Sequence, residues 1–203
     1  MTGPELSAWL QRHSKLVLII SVLILFALLA FFAYDKHQRA QAAHAAVLFN
    51  ELQMSLAAGQ TATARASAET LVHDYGKLAY GKMAHFYLAQ LDLDAHNFQG
   101  AEAQLRFLSQ DRSLPTGMQA MAQIRLARLY LEQKKPQLAL HVLPHKDPAF
   151  AVLAWELRGD AEMALQHLDL ARQDYEKALA ALPVQDPYRA FLQLKIANLG
   201  VTE

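Results

Sequence analysis

From Leu16 to Tyr34 the chain reads LVLIISVLILFALLAFFAY, and Ser21 is its only clearly polar side chain. A run this uniform has no polar face, so it predicts a helix surrounded by apolar material on every side. Nineteen residues at about 1.5 Å each give roughly 28 Å, close to the hydrocarbon thickness of a bilayer. A helix satisfies its own backbone, so the segment 16–34 is expected to cross lipid.

Helical patterning continues past Tyr34 with neither Gly nor Pro until Gly59, predicting a stalk over 35–58. Turn signals then recur at Gly76, His96-Asn97, Leu114-Pro115-Thr116-Gly117, Lys135-Pro136, Asp147-Pro148, His167, Pro183 and Asp186-Pro187. Between them lie segments of about 8–20 residues with apolar positions at i, i+3, i+4 and i+7. Asp147-Pro148 and Asp186-Pro187 each set a capping carboxylate before a proline suited to a first helical turn. Gly200 follows Leu199, where the last helix is expected to end.

Overlaying these segments reveals a repeat. Trp155 and Gly159 precede Ala171, Tyr175, Ala178 and Pro183; Leu126-Ala127 and Tyr130 precede Ala139 and Leu143; Leu88-Ala89 precede Ala101, Leu105 and Leu108. Ala101, Ala139 and Ala171 are 38 and 32 residues apart, bracketing the 34-residue period of tetratricopeptide (TPR) helix pairs. In this reading Gly159 and Ala171 are small because two helices cross closely there. Tyr175 and Trp155 fill the space beside the crossing, Ala178 faces the next helix, and Pro183 stops the second helix. Residues 45–74 suit a degenerate leading repeat with Ala64, Ala68 and Leu71 in its second helix, and 187–199 a capping helix. The expected fold is therefore all-α: one transmembrane helix followed by a TPR-like α-solenoid over 59–203.

Composition adds limits. Nineteen basic and nineteen acidic residues leave no net charge, so no field favours nucleic acid. Cysteine is absent, which removes disulfides, thiolate chemistry and lipid attachment through cysteine. A cleavable signal peptide competes with the anchor. Its apolar core would be shorter, however, and the small-x-small Ala40-Gln41-Ala42 is separated from the apolar run by Asp35-Lys36-His37-Gln38-Arg39. Arg12 and Lys15 on one side nearly balance Lys36 and Arg39 on the other. The short head 1–15 is expected in the cytoplasm chiefly because it is short.

Nine histidines raise the question of catalysis. His141 and His145 are four apart, but Pro144 breaks the helical face that a metal pair needs. No Gly-rich phosphate loop, G-x-S-x-G or H-E-x-x-H occurs. No enzyme activity, catalytic residue, metal or cofactor is expected. Stacked helix pairs instead make a concave surface from their first helices. Met83, Phe86, Gln90, Met121, Ile124, Arg128, Glu156, Asp160 and Met163 are the candidate groove residues, with methionines supplying an adaptable apolar surface for extended peptide.

The stretches QIRLARLYLEQKKPQLAL (123–140), LRGDAEMALQHLDLARQDYEKAL (157–179) and LQLKIANL (192–199) resemble the YfgM family, the ancillary subunits of the SecYEG translocon. The resemblance implies a single-pass protein of the bacterial inner membrane, N terminus cytoplasmic and TPR domain periplasmic. It further implies association with SecYEG, periplasmic chaperones and emerging secretory polypeptides, the span itself contacting membrane lipid. The head is shorter and less acidic than is usual in that family, and the span contains no glycine. The alternatives are a membrane-anchored adaptor for another envelope assembly and, more remotely, a metal-dependent hydrolase using His141, His145 and Asp147.

Overall fold

A computed structural model describes residues 3–144 and 147–200 as an all-helical chain. Helix α1 (Gly3–Ala57) is followed by α2 (Thr61–Tyr75), α3 (Ala79–Asp94), α4 (Phe98–Gln110), α5 (Thr116–Glu132) and α6 (Pro136–Val142). A 3₁₀ turn at Pro148–Phe150 leads into α7 (Ala151–Ala164), α8 (Leu168–Ala181) and α9 (Tyr188–Asn198). Consecutive helices pack on one another from α1 to α9, and the first helices of neighbouring pairs also meet, α1 with α3 and α5 with α7. That connectivity is a solenoid of antiparallel pairs.

Four turns joining first to second helices share one geometry. Gly59, His96, Lys134 and Gln166 all adopt positive φ, between 55° and 70°. Each donates its N–H to the carbonyl three residues back, and the following residue bonds five back, as in Gln60 to Ser55, Asn97 to Asp92, Lys135 to Tyr130 and His167 to Glu162. These paired bonds cap the exposed carbonyls of the first helix while reversing the chain. Only the first turn uses glycine, the residue that takes this conformation without strain. The other three hold a side-chain residue there because the helices on either side fix the turn.

The same four turns set the register of the packing. Four residues after each one's bonded donor stand Ala64, Ala101, Ala139 and Ala171, all fully buried. Opposite them on the first helices are Leu52, Ala89, Ala127 and Gly159, also buried. At Gly159 the approach is closest: a Cβ there would lie 2.4 Å from Tyr175 Cε1. Tyr175 and Ala178 are fully buried, Trp155 is half-buried beside them, and Pro183 lies just beyond the end of α8.

The apolar interior forms three successive clusters. The first joins α1 (Ala45, Phe49, Leu52) to α2 and α3, the second runs from α3 to α7, and the third links α7 and α8 to α9 through Tyr175, Ala178 and Leu192. Arg189 of α9 donates to the carbonyls of Leu179 and Leu182, closing the C-terminal end of α8.

Helix α1 does two jobs. Its upper end from Ala45 is the first helix of the leading repeat, so the array takes in residues that sequence patterning assigns to the stalk. Lower down, Leu18, Leu23, Phe26, Leu29 and Phe32 stand exposed around its circumference. Among the described residues this apolar stretch is covered by no other helix, and its length suffices to span a bilayer, as a single-pass membrane anchor requires.

Candidate partner-binding surface

The expected groove residues all lie on first helices: Met83, Phe86 and Gln90 on α3, Met121, Ile124 and Arg128 on α5, Glu156, Asp160 and Met163 on α7. Their surroundings differ. Phe86 and Ile124 belong to the central core, and the Arg125 guanidinium lies 5.1 Å over the Phe86 ring. Neither is available to a partner, because first helices are apolar toward both their own second helix and their neighbours. Gln90, Met121, Arg128 and Met163 are exposed and Met83 is half-buried. These five are the accessible members of the set.

Glu156 and Asp160 have another occupant. Lys195, from α9, places Nζ 2.8 Å from Glu156 Oε1 and 2.6 Å from Asp160 Oδ1. Tyr188 donates its hydroxyl to Glu156 Oε2 at 2.7 Å, and Tyr175 donates to Asp160 Oδ1 at 2.7 Å. Burial, then the adjacent carboxylates, pushes both phenols well above their ordinary range, the Arg128 guanidinium opposing this at Tyr188. The phenols therefore stay protonated as fixed donors. One ammonium and two hydroxyls thus satisfy two carboxylates that would otherwise be stranded in a largely buried site. Chemically this is a clasp holding the terminal helix onto the last pair.

Other polar links tie the repeats together. Arg65 on α2 pairs with buried Asp92 on α3 at 2.9 Å, and Asn97 also donates to Asp92. Lys82 on α3 pairs with Asp111 after α4 at 2.9 Å, and Ser113 donates to the same carboxyl from its amide and hydroxyl. These hydrogen bonds, with the lysine, lower the Asp111 pKa to about 2. His85 is buried, stacked on Phe107 at 4.4 Å with Nδ1 2.6 Å from Gln104 Oε1. Desolvation lowers its pKa below that of a free imidazole, and the Gln104 bond only partly offsets this.

His141 and Asp147 line a cleft of about 590 Å³ with Ser109, Thr116 and Gln123. His145 lies outside the described residues. Among the described residues no three histidines or carboxylates come together to hold a metal ion. Nor does any carboxylate of the clasp stand free to act as acid or base, since each is engaged by a cation or a hydroxyl.

Paired helices with a repeated reversing turn, small residues at each crossing and a capping helix define a repeat array. The sequence model described as tetratricopeptide repeat-like domain matches residues 7–201. The chain belongs to this tetratricopeptide repeat-like family. Its family match begins before the apolar span, so anchor and array together make up the family unit. Two relatives carry the name ancillary SecYEG translocon subunit. The Neisseria gonorrhoeae protein is 29% identical over 184 residues, covering 87% of each chain. The Escherichia coli K12 protein is 25% identical over 191 residues, covering 94% of this chain and 91% of its own. No solved structure matches.

Proposed function

We propose that this repeat-family member is a non-enzymatic scaffold of the inner membrane, an ancillary subunit beside the SecYEG channel. Its N terminus lies in the cytoplasm and its helical array in the periplasm, where it links emerging secretory polypeptides to periplasmic chaperones. The observation that carries this reading is similarity over 87% and 94% of the chain to two proteins named for that complex. The fold supports it physically. An anchored array holds its binding surface at high local concentration beside any channel sharing the membrane. The exposed Gln90, Met121, Arg128 and Met163, with the half-buried Met83, offer the adaptable, mixed surface that unfolded segments need.

Site-specific photocrosslinkers at Met121 and Met163 in native membranes test this, with copurification in mild detergent. Channel subunits, a periplasmic chaperone or secretory chains are the expected products. Recovery of a different envelope assembly, with none of these, would replace the translocon by that assembly as the partner. Protease added from the periplasmic side should degrade the array, and its protection would reverse the orientation.

A further inference from the structure

Helix α1 carries no glycine or proline between Pro4 and Gly59, so membrane span and array share one axis. Beyond Tyr34 it rises 23 residues to Ala57, about 35 Å, and α2 returns 15 residues, about 22 Å, toward the bilayer. The α2–α3 turn therefore ends low. It meets α1 at His37, Gln38 and Gln41 across a cleft of about 640 Å³, roughly 4–10 Å along the axis from the last apolar residue. The polar layer of a bilayer is about 5–7 Å deep on each side, so this turn stands at or just above headgroup height, within reach of a long basic side chain.

The next return, α4, ends at the same edge. Lys82 joins the α4–α5 loop to the foot of α3 through Asp111, and a second cleft of about 450 Å³ lies between Lys77, Phe107, Gln110 and Ser113. Phe107 lines both clefts and is 50% exposed, its ring held upright by the stack on His85. Lys77 lines the second cleft with it, Arg112 is exposed in the α4–α5 loop between Asp111 and Ser113 of that edge, and Lys36 and Arg39 are exposed on α1. The acidic groups at this edge are Asp35, paired with Arg39; Asp111, paired with Lys82; and Asp74, hydrogen-bonded to His73. Among the described residues Lys36, Lys77 and Arg112 pair with no carboxylate within the same reach. An exposed aromatic ring flanked by unpaired bases is the composition of an interfacial anchor.

We propose that this lower edge, Lys77 and Arg112 around the exposed Phe107, lies on the bilayer and binds anionic phospholipid headgroups. The inference rests on the anchored reading and adds a second attachment to it. One basic residue near an anionic surface is worth about a fivefold shift in the docked population. The array then leans onto the membrane along α2–α4, leaving the far end of α7 and its exposed Met163 away from lipid.

The absence of native cysteine allows single-site fluorescent labelling of the full chain, reconstituted in phosphatidylcholine vesicles with or without phosphatidylglycerol. Labels go at Phe26 in the span, at Gln110 on the lower edge and at Gln99 near the opposite end of α4. Lipids carrying nitroxide on the acyl chain should quench Phe26. With nitroxide on the headgroup, quenching at Gln110 should exceed that at Gln99, and should fall when phosphatidylglycerol is omitted. The double substitution Lys77→Glu and Arg112→Glu should cut the Gln110 signal at least about fivefold. With Phe26 quenched, equal quenching at Gln110 and Gln99, or indifference to both lipid charge and charge reversal, overturns the docking while leaving the translocon reading intact. An unquenched Phe26 overturns the anchor and the docking together.

Discussion

The crossing at Gly159 can be tested by adding one methyl group. A Cβ built there meets Tyr175 at 2.4 Å, 2.5 Å and 2.9 Å from three ring carbons. Carbon atoms pack at about 3.5–4.0 Å, so the ring must retreat by about 1 Å. It has nowhere easy to go. Tyr175 is fully buried, its hydroxyl is held by Asp160, and Lys195 lies 5.5 Å over its face. Overpacking of this kind costs about 3 kcal/mol at the upper end of its range. Alanine returns about 1 kcal/mol through better helix propensity, leaving a net loss of about 2 kcal/mol for Gly159→Ala. For a chain of this size that lowers the thermal midpoint by about 4–8 °C. The assay is circular dichroism melting of the full chain in detergent, run as a double-mutant cycle. In a Tyr175→Leu background the ring edge is gone, and Gly159→Ala should be neutral or stabilising by up to about 1 kcal/mol. A raised midpoint for Gly159→Ala alone, or an equal loss in both backgrounds, would refute the close-crossing argument.

Replacing Lys195 by Met should destabilise α9 by about 2 kcal/mol, because Glu156 then loses its counter-ion while largely buried; amide exchange over 188–199 should accelerate, and unchanged exchange would count against the clasp. His85 has a folded pKa below its unfolded value, so the unfolded chain binds the proton first as pH falls. Stability should be fully present above about pH 6.5 and decline as pH drops toward the lowered pKa, and His85→Gln should flatten that slope in melts between pH 7.5 and pH 5.5. Substituting glycine for Lys134 or Gln166, both at positive φ, should raise stability by about 0.5–1 kcal/mol in urea titrations, whereas a loss would mean that these side chains contribute more than their strain costs.

The repeat was legible because its punctuation is local. Asn97, Pro136 and His167 stand beside reversing turns, and alanine recurs at each crossing, so periodicity and turn chemistry agree. The leading repeat was harder to delimit. No turn residue separates span from array, since α1 passes from lipid into protein packing without a break at Ala45. Phe86 and Ile124 read as groove residues because first helices are apolar on two sides, and a stripe cannot tell which side meets protein. The clasp was invisible for a different reason. Lys195 reaches Asp160 across 35 residues of sequence, and such pairing depends on where the solenoid brings α9 rather than on any local pattern.

The unbroken α1 also makes the array's bearing a matter of residue arithmetic. Each residue added between Asp35 and His44 would turn everything above it by about 100° around the mast and lift it by about 1.5 Å. Any neighbour fixed in the plane of the membrane would then face a different side of the molecule. The length of this connecting stretch thus acts as a compass setting, and two chains with identical binding surfaces but one residue's difference here would present them to different quarters of the cell envelope.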